Sequence, residues 1–334
     1  MNLVFVRDWS DGYYTEKLRE LGLRIRESIR SALAGQDADK LRMVARESED
    51  DTIYRLDEVV ERVLADFCTD WGRERTFVLI AEGLPAGREV FPSSAHAASA
   101  EFVLIVDPVD GTRSLMFDKR PAWALCAVAP VRSEALPRSR DIRVAVQTEI
   151  PTTRQCLAAQ VSGVAGSGLT AEMHDLRSGR VSRFEPRPSR ATRLQNGFAG
   201  FSKFFPEGKA RIAQLEWELF QRVLPTGATD CVFDDQYVSS GGQLFELMVG
   251  HDLFVADIRS VLFARENRGG LCPHPYDLCT EMIAREAGVI VTGLDGQPLD
   301  FPLDTTTPIG WVGYANDDLR ALIEPHLFDV LGSI

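Results

Sequence analysis

The chain has 334 residues, of which 45% are hydrophobic and 26% are charged, and its formal net charge is -12. This composition is typical of a globular protein with one large or two modest domains, and it argues against intrinsic disorder. The acidic balance disfavours binding to a nucleic-acid polymer. The sequence has no apolar run near the ~20 residues that span a bilayer and no signal-peptide pattern. It therefore predicts a cytoplasmic protein that does not bind a membrane.

The first half of the chain begins with two helical patterns and continues mainly as strands. Apolar side chains recur at helical spacing over residues 16–33 and 56–67, which predicts two amphipathic helices. Residues 87–99 are rich in Pro, Ser and Ala and predict a surface loop. Short apolar runs predict strands over residues 77–80, 102–106, 123–131 and 142–150, and hairpins over 156–168 and 179–184.

The second half alternates helices with short strands, which indicates an α/β layer. Pro325 is expected to kink or divide the last helix, because proline lacks a backbone donor. A polar stretch with two prolines over residues 185–193 predicts a boundary between an α+β domain (1–188) and an α/β domain (189–334). Helices are predicted over residues 207–223, 240–249, 276–286 and 317–331, and strands over 253–256 and 289–292.

A pair of aspartates directly after an apolar strand is the central chemical signal. The strand runs into Asp107-Pro108-Val109-Asp110-Gly111-Thr112. Pro108 turns the chain, which aims both carboxylates and the Val109 carbonyl at one point. Hard cations such as Mg2+ bind several oxygen ligands, and the backbone amides of Gly111 and Thr112 suit a phosphate oxygen. Asp-Pro and Asp-Gly are also ordinary turn formers, but the whole pattern favours a metal site.

Three further acidic residues accompany this motif. Glu82 follows the first predicted strand, Asp57 lies on the second predicted helix, and Asp277 follows His274-Pro275-Tyr276. Each has an ordinary interpretation by itself: a solvated strand end, a surface helical acid and a helix N-cap, respectively. Their order along the chain makes the set informative.

In this order the residues resemble the inositol monophosphatase superfamily of lithium-sensitive, magnesium-dependent phosphatases. The family pattern has an Asp on an early helix, Glu-Glu after a strand, Asp-Pro-Ile/Val-Asp-Gly-Thr, and Trp-Asp opening a late helix that ends in Glu-Ala-Gly-Gly. Asp57, Glu82, residues 107–112, Asp277 and residues 286–288 match it in turn, over roughly residues 50–300. The resemblance implies a layered α-β-α-β-α sandwich of the inositol monophosphatase/fructose-1,6-bisphosphatase type.

The resemblance also implies roles for these residues. The metal ligands would be Glu82, Asp107 and the Val109 carbonyl for one Mg2+, and Asp107, Asp110 and Asp277 for a second. The catalytic residues would be Asp57, Thr112 and Glu82, with Thr112 and Asp57 activating the attacking water. The amides of Gly111 and Thr112 would hold the phosphate. Two or three Mg2+ ions are implied, with Mn2+ as a substitute, inhibition by Li+, and a homodimer.

The chain departs from the family pattern at several positions. Gly83 stands where the pattern has its second glutamate, which puts a third metal ion in doubt, and Tyr276 and Val289 replace Trp and Gly. The segment 113–120 is longer than usual and should border the substrate. Arg113, with Lys119 and Arg120, is expected near a second anionic group, and His274 near the substrate.

The expected function is hydrolysis of a small phosphorylated polyol or sugar, as in inositol monophosphatases. A sugar bisphosphate such as fructose-1,6-bisphosphate and a 3'-phosphoadenosine 5'-phosphate-like nucleotide remain open as substrates. A catalytically degenerate protein that binds a phosphorylated ligand is the non-enzymatic alternative. A haloacid-dehalogenase-type phosphatase is disfavoured, because two residues separate the aspartates here and that mechanism requires one.

Overall fold

A computed structural model describes residues 9–35, 44–47, 52–132, 135–224, 232–267 and 270–333, which form five layers. Two long helices cover one face of a large sheet, and short helices lie between this sheet and a smaller one. Two more helices cover the outer face of the smaller sheet. This α-β-α-β-α arrangement confirms the predicted fold class.

The helices of the outer layers are long, and those near the middle of the molecule are short. In chain order the α-helices are α1 (Asp11–Gly35), α2 (Arg55–Gly72), α3 (Thr112–Met116), α4 (Lys209–Val223), α5 (Ser240–Met248), α6 (Arg259–Arg265), α7 (Glu281–Glu286) and α8 (Asp317–Leu331). Helices α1 and α2 pack on the large sheet, α5 and α7 lie between the sheets, and α4 and α8 pack on the smaller sheet. None of the helices in the described ranges is both long and apolar enough to cross a bilayer.

The large sheet lies entirely within residues 77–184. Its strands are β3 (Phe77–Ala81), β4 (Arg88–Phe91), β5 (Phe102–Asp110), β6 (Ala122–Pro130), β7 (Val144–Ile150), β8 (Leu157–Val164), β9 (Gly168–Asp175) and β10 (Val181–Phe184). The spatial order is β10-β9-β8-β7-β6-β5-β3-β4. All neighbours pair antiparallel except β3 and β5, which are parallel. A separate two-stranded ribbon pairs β1 (Val44–Glu47) with β2 (Thr52–Tyr54).

The smaller sheet lies in the second half of the chain and mixes parallel and antiparallel pairs. Its strands are β11 (Gly197–Phe201), β12 (Val232–Phe233), β13 (Asp252–Asp257), β14 (Ile290–Thr292) and β15 (Trp311–Tyr314), in the spatial order β12-β11-β13-β15-β14. The predicted boundary at residues 185–193 lies between β10 and β11, and the division into two domains remains a prediction.

Alternation along β5 shows how the large sheet joins two cores. Val103 and Ile105 pack between the two sheets, whereas Leu104 and Val106 pack against α1 and α2. Side chains alternate between the faces of a strand, so a continuous apolar run is required where both faces are covered. This explains why β5 is buried over almost its whole length.

The structure corrects four of the predicted elements. Strand β5 does not stop at Asp107 but continues to Asp110, and β4 lies inside the predicted surface loop. The predicted helix 276–286 is divided into a short 3-10 helix, Pro275–Leu278, and α7. Pro325 lies within a continuous α8, since buried side chains on both sides of it, such as Ile323 and Leu327, hold the helix against the core.

Candidate metal centre and its cleft

An irregularity in the pairing of β5 with β6 brings Asp107 and Asp110 together. Asp107 pairs with Leu125 and Asp110 pairs with Trp123, so three steps along β5 oppose two steps along β6. In a regular strand, residues three apart point to opposite faces. The extra residue of this β-bulge reverses that alternation and lets both aspartates point to one side. The two aspartates thus come together because the pairing register shifts between them, in addition to the turn of the chain at Pro108.

The chain after Asp110 turns tightly into α3. Gly111 has a φ of 98°, which an L side chain rarely adopts, and a Cβ atom there would lie 3.2 Å from the Val238 carbonyl oxygen. The hydroxyl of Thr112 donates a hydrogen bond to the Val109 carbonyl oxygen at 2.8 Å. This contact places the Thr112 side chain beside the backbone oxygen that the resemblance assigns to a metal ion.

Asp277 reaches the same place from the second half of the chain. It lies in the 3-10 helix Pro275–Leu278, and its Oδ2 accepts a hydrogen bond from the backbone amide of His274 at 2.7 Å. The N-cap is therefore His274, and Asp277 is the third residue of the helix, whose side chain accepts from the N-cap amide. This bond holds the Asp277 side chain over the end of β5.

The carboxylates of Asp107, Asp110 and Asp277 form a compact group, with ligand oxygens all within 4.8 Å of one another. Burial, followed by the repulsion of Asp110, raises the pKa of Asp107 well above its ordinary value, and the same two causes raise that of Asp277. Burial raises the pKa of Asp110 to about 7. Three acids in such proximity oppose one another's ionisation unless a cation is bound. Oxygen-only donors at this spacing suit Mg2+ or Mn2+.

Asp110 is held by the start of α5. Its Oδ2 accepts hydrogen bonds from the Ser239 hydroxyl at 2.8 Å and from the Gly241 amide at 2.6 Å, and its Oδ1 accepts a longer one from the Ser240 amide at 3.3 Å. Ser239 is also the N-cap of α5, since its hydroxyl oxygen accepts from the Gly242 amide. These donors counteract the effect of burial on the pKa of Asp110.

Close packing explains the two glycines in this segment. A Cβ atom on Gly241 would lie 2.6 Å from the Leu125 side chain, and one on Gly242 would lie 2.4 Å from the Tyr237 ring. The sequence interpretation missed Ser239 to Gly242. The detectable signal was a serine before two glycines and an apolar helical run, which is typical of an N-cap.

Glu82 is the next acidic residue at the site. It directly follows β3, is half-buried, and lines one cleft together with the three aspartates. Its Oε1 accepts a hydrogen bond from the Tyr276 hydroxyl at 2.9 Å. The Tyr276 ring stacks on the His274 ring, with centroids 5.6 Å apart. Tyr276 and His274 are thus part of the wall that faces Glu82.

The cleft has a volume of about 180 Å3. Its lining includes both the acidic groups and the half-buried rings of Phe204 and Phe205. The guanidinium of Arg259 lies 4.5 Å from the Phe204 centroid and is paired with Asp257 at 2.6 Å. Arg113 lies 5.8 Å from the Phe205 centroid. The sequence interpretation missed this aromatic pair, which lies on a loop without periodicity.

Known proteins resemble this chain in structure but not detectably in sequence. No protein-family model matches it, and no curated protein matches it significantly. Extragenic suppressor protein SuhB from Bartonella henselae is 14% identical, with 94% of this chain and 98% of that one aligned and a TM-score of 0.63. Fructose-1,6-bisphosphatase from Leishmania major is 12% identical, with 95% and 93% aligned and a TM-score of 0.66. SaIMPase-II bound to 2'AMP is 13% identical, with 96% and 97% aligned and a TM-score of 0.57.

The chain has the inositol monophosphatase fold. Within this fold, the predicted metal ligands Glu82, Asp107, Val109, Asp110 and Asp277 line one cleft. The four predicted phosphate or substrate contacts line it as well: Gly111, Thr112, Arg113 and His274. Asp57 belongs to α2, but its side chain lies outside the described part of the structure.

Gly83 and Arg113 stand where the chain departs from the family pattern, and both line the cleft. Gly83 has a φ of 79°, and a Cβ atom there would lie 3.2 Å from Oε1 of Glu61, so a glutamate at this position would be strained. In the segment 113–120, Arg113 lines the cleft, whereas Arg120 pairs with Asp235.

The carboxylate of Glu286 accepts hydrogen bonds from the Gly166 and Gly168 amides, which makes it a structural residue.

Proposed function

We propose that this protein is a magnesium-dependent phosphomonoesterase that hydrolyses a small phosphorylated polyol or sugar. The observation that carries the proposal is the convergence of Asp107, Asp110 and Asp277, whose ligand oxygens lie within 4.8 Å of one another. Two come from a bulged strand end of the large sheet and one from a 3-10 helix of the second half. Such a buried acidic group is costly to the fold by itself and becomes favourable when cations neutralise it.

The donor set supports two metal positions. Glu82, Asp107 and the Val109 carbonyl would bind one ion, and Asp107, Asp110 and Asp277 the other. Two Mg2+ ions, or Mn2+ in their place, would activate the attacking oxygen and stabilise the leaving one. Gly83 supplies no carboxylate for a third ion. Inhibition by Li+ is expected on the same assignment.

The chain's own residues would position the substrate and the water. The Gly111 and Thr112 amides would hold the phosphate oxygens, next to the two aspartates of β5. The Thr112 hydroxyl, already directed by its bond to Val109, would orient the attacking water with Asp57, and Glu82 would act with them as the third catalytic residue. Arg113 and His274 line the cleft from opposite halves of the chain and would contact the rest of the substrate.

A nucleotide substrate is the second candidate, and the aromatic part of the cleft lining favours it. Phe204 and Phe205 line the cleft, and stacking of a base on an aromatic side chain contributes about 1–3 kcal/mol per base. SaIMPase-II, which shares the fold, is described as bound to 2'AMP. A sugar bisphosphate is the related option, in which Arg113 would meet the second phosphate.

Phosphate release tests the function directly. The purified protein is incubated with inositol phosphates, sugar phosphates, sugar bisphosphates and 2'- or 3'-phosphorylated nucleotides, with Mg2+ and with a chelator. We expect magnesium-dependent release from at least one polyol or sugar phosphate and none from Asp110→Asn. Binding of a phosphorylated compound without any release, with Mg2+ or Mn2+, would instead support the non-catalytic alternative. Trapping of a phospho-enzyme would contradict hydrolysis by activated water.

A cytoplasmic homodimer, without a membrane or nucleic-acid partner, remains part of the proposal. It follows from the sequence composition and the family resemblance. Size-exclusion chromatography with light scattering tests the dimer, since a mass near that of one 37.1 kDa chain would contradict it.

A further inference from the structure

One hydrogen bond connects a proposed metal ligand to the other half of the chain. The Tyr276 hydroxyl and Oε1 of Glu82 are 2.9 Å apart. We propose that Tyr276 is a positioning residue that fixes the Glu82 carboxylate for metal binding, which rests on the proposed function. Tyr276 itself touches neither the metal nor the reacting atoms in this assignment.

The direction of this hydrogen bond follows from the chemistry of the two groups. An ionised carboxylate only accepts hydrogen bonds, and a phenol has a single proton to donate. Tyr276 therefore donates its proton in a hydrogen bond to Oε1 of Glu82 and fixes the position of that oxygen. Glu82 lines the same cleft as Asp107, Asp110 and Asp277, so the carboxylate held by Tyr276 lies beside the three aspartates. A hydrogen bond to a charged acceptor is roughly twice as strong as a neutral one, so it restricts the carboxylate effectively.

Tyr276 is held rigidly by its surroundings, whereas Glu82 has the more flexible side chain. The Tyr276 ring is 7% exposed, belongs to the core between the sheets and stacks on His274. A tyrosine has two side-chain torsions to fix, and this packing fixes both. Glu82 has three torsions and lies beyond the last residue of β3, next to Gly83, which is exposed and carries no side chain. The flexible ligand is thus held by a buried neighbour that comes from the second half.

The same helix carries both an anchor and a ligand. Tyr276 directly precedes Asp277, and both lie in the 3-10 helix Pro275–Leu278. Placement of Asp277 over the end of β5 therefore also places the hydroxyl that holds Glu82. Groups that hydrogen-bond to metal ligands and orient them are often required for full metal affinity, and their mutation typically lowers that affinity 10–100-fold.

The test compares Tyr276→Phe with Tyr237→Phe. Both substitutions remove one buried hydroxyl and preserve the ring. Tyr237 is 2% exposed, and its hydroxyl donates to the Pro121 carbonyl and accepts from Trp123, neither of which is a proposed metal ligand. Mn2+ affinity of the metal-free protein is measured by calorimetry, and kcat and KM are measured with the best substrate of the phosphate-release screen.

We expect Y276F to weaken Mn2+ binding by about 10-fold or more and to lower kcat with little change in KM. Y237F should bind Mn2+ as the wild type does. In a Glu82→Gln background, Y276F should have no further effect on Mn2+ affinity, because the residue acts through Glu82.

Three outcomes would overturn the inference. They are wild-type Mn2+ affinity in Y276F, an equal loss in Y237F, and an additive loss in the Glu82→Gln background. If the wild-type protein itself binds no Mn2+, the proposed function fails and the inference fails with it. Binding by the wild type together with an unaffected Y276F would refute the role of Tyr276 alone.

Discussion

The Ser239 hydroxyl donates a hydrogen bond to Oδ2 of Asp110 at 2.8 Å while it accepts one from the Gly242 amide at the same distance. One hydroxyl thus caps helix α5 and orients the Asp110 carboxylate at the end of β5 in the large sheet. Because Oδ2 of Asp110 also accepts from Gly241, that oxygen is occupied and Oδ1 is the better placed to bind a cation.

The first prediction concerns this serine. Ser239→Ala should lower the free energy of unfolding by about 1–2 kcal/mol, since an N-cap is lost. It should also weaken Mg2+ and Mn2+ binding, because Asp110 loses a donor that holds it. Chemical denaturation and calorimetric metal titration measure the two effects separately.

Asn316→Ala provides the matched control for Ser239→Ala. Asn316 is the N-cap of α8, where its side chain accepts a hydrogen bond from the Leu319 amide, on the outer layer of the molecule. Asn316→Ala should cost at least as much stability, since the Asn316 amide also donates to the Ser189 and Ala191 carbonyls, and it should leave metal affinity intact. Equal metal affinity in wild type and Ser239→Ala would show that Ser239 only caps its helix.

The second prediction separates activity from stability at Asp277. Burial and neighbouring acids raise the pKa of Asp277 well above its value in an unfolded chain. Stability is therefore greatest when the group is protonated and is lost as the pH rises through the folded-state pKa. At pH 8, without metal, Asp277→Asn should unfold at a higher temperature than wild type, although its magnesium-dependent phosphate release is abolished.

Added Mg2+ should reverse that order. The wild-type protein should gain thermal stability from Mg2+ at pH 8, because the ion neutralises the acidic group, and Asp277→Asn should gain much less. A metal-free Asp277→Asn protein that is no more stable than wild type at pH 8 would contradict the mutual repulsion of Asp107, Asp110 and Asp277.

The third prediction concerns Asp252, at the start of β13 and outside the cleft. Burial, followed by Glu246 and Asp235, raises its pKa to about 7 from 3.8. The folded protein binds this proton more tightly than the unfolded chain, so stability declines as the pH rises from about 4 to 7. Asp252→Asn should be more stable than wild type by roughly 2–4 kcal/mol at pH 8 and equally stable at pH 4.

Asp66→Asn makes the same chemical change on an exposed face of α2 and serves as its control. Urea denaturation at several pH values, with metal chelated, gives the comparison. Parallel stability curves for Asp252→Asn and wild type from pH 4 to pH 8 would show that Asp252 is not the buried acid described above.

The fourth prediction tests the residue that begins the segment after the motif. Arg113 lines the cleft, so Arg113→Gln should raise KM for a bisphosphorylated substrate by about 10-fold, the value of a hydrogen bond between charged groups. The KM for a monophosphate should change little.

Arg120→Gln tests the specificity of the Arg113 effect. Arg120 belongs to the same segment but pairs with Asp235 and lies over the Tyr237 ring. Steady-state kinetics with paired mono- and bisphosphates should therefore show no selective effect in this variant. Equal KM increases for both substrates in Arg113→Gln would assign that residue to the transferred phosphate.

Local patterns in the sequence predicted most of the secondary structure. Residues 16–33 and 56–67 have helical periodicity and lie in α1 and α2, because each buries one apolar face. The predictions were least accurate where tertiary packing outweighs local preference. Strand β4 is held by pairing with β3, and α8 continues through Pro325 because buried residues flank the proline on both sides.

The candidate site was predictable in its acidic residues and not in the residues that hold them. Asp107 and Asp110 lie in the last turn-forming part of a buried strand, and a strand end with two carboxylates is visible in the sequence alone. Their shared direction depends on a bulge against β6, which is a property of pairing. Tyr276 looked like a conservative aromatic replacement, and its bond to Glu82 becomes visible only when β3 and the 3-10 helix are adjacent.

By itself, the sequence determined the long amphipathic helices, the most apolar strands, the acidic residues and the glycine that turns the chain after Asp110. These depend on local periodicity, turn chemistry and side-chain type. Only the tertiary structure decided which groups face one another: Ser239 with Asp110, Tyr276 with Glu82, and Phe205 with Arg113. These contacts join residues far apart in the chain. They form because burial of the two sheets against the central helices brings the two halves together, and no local pattern encodes that distance.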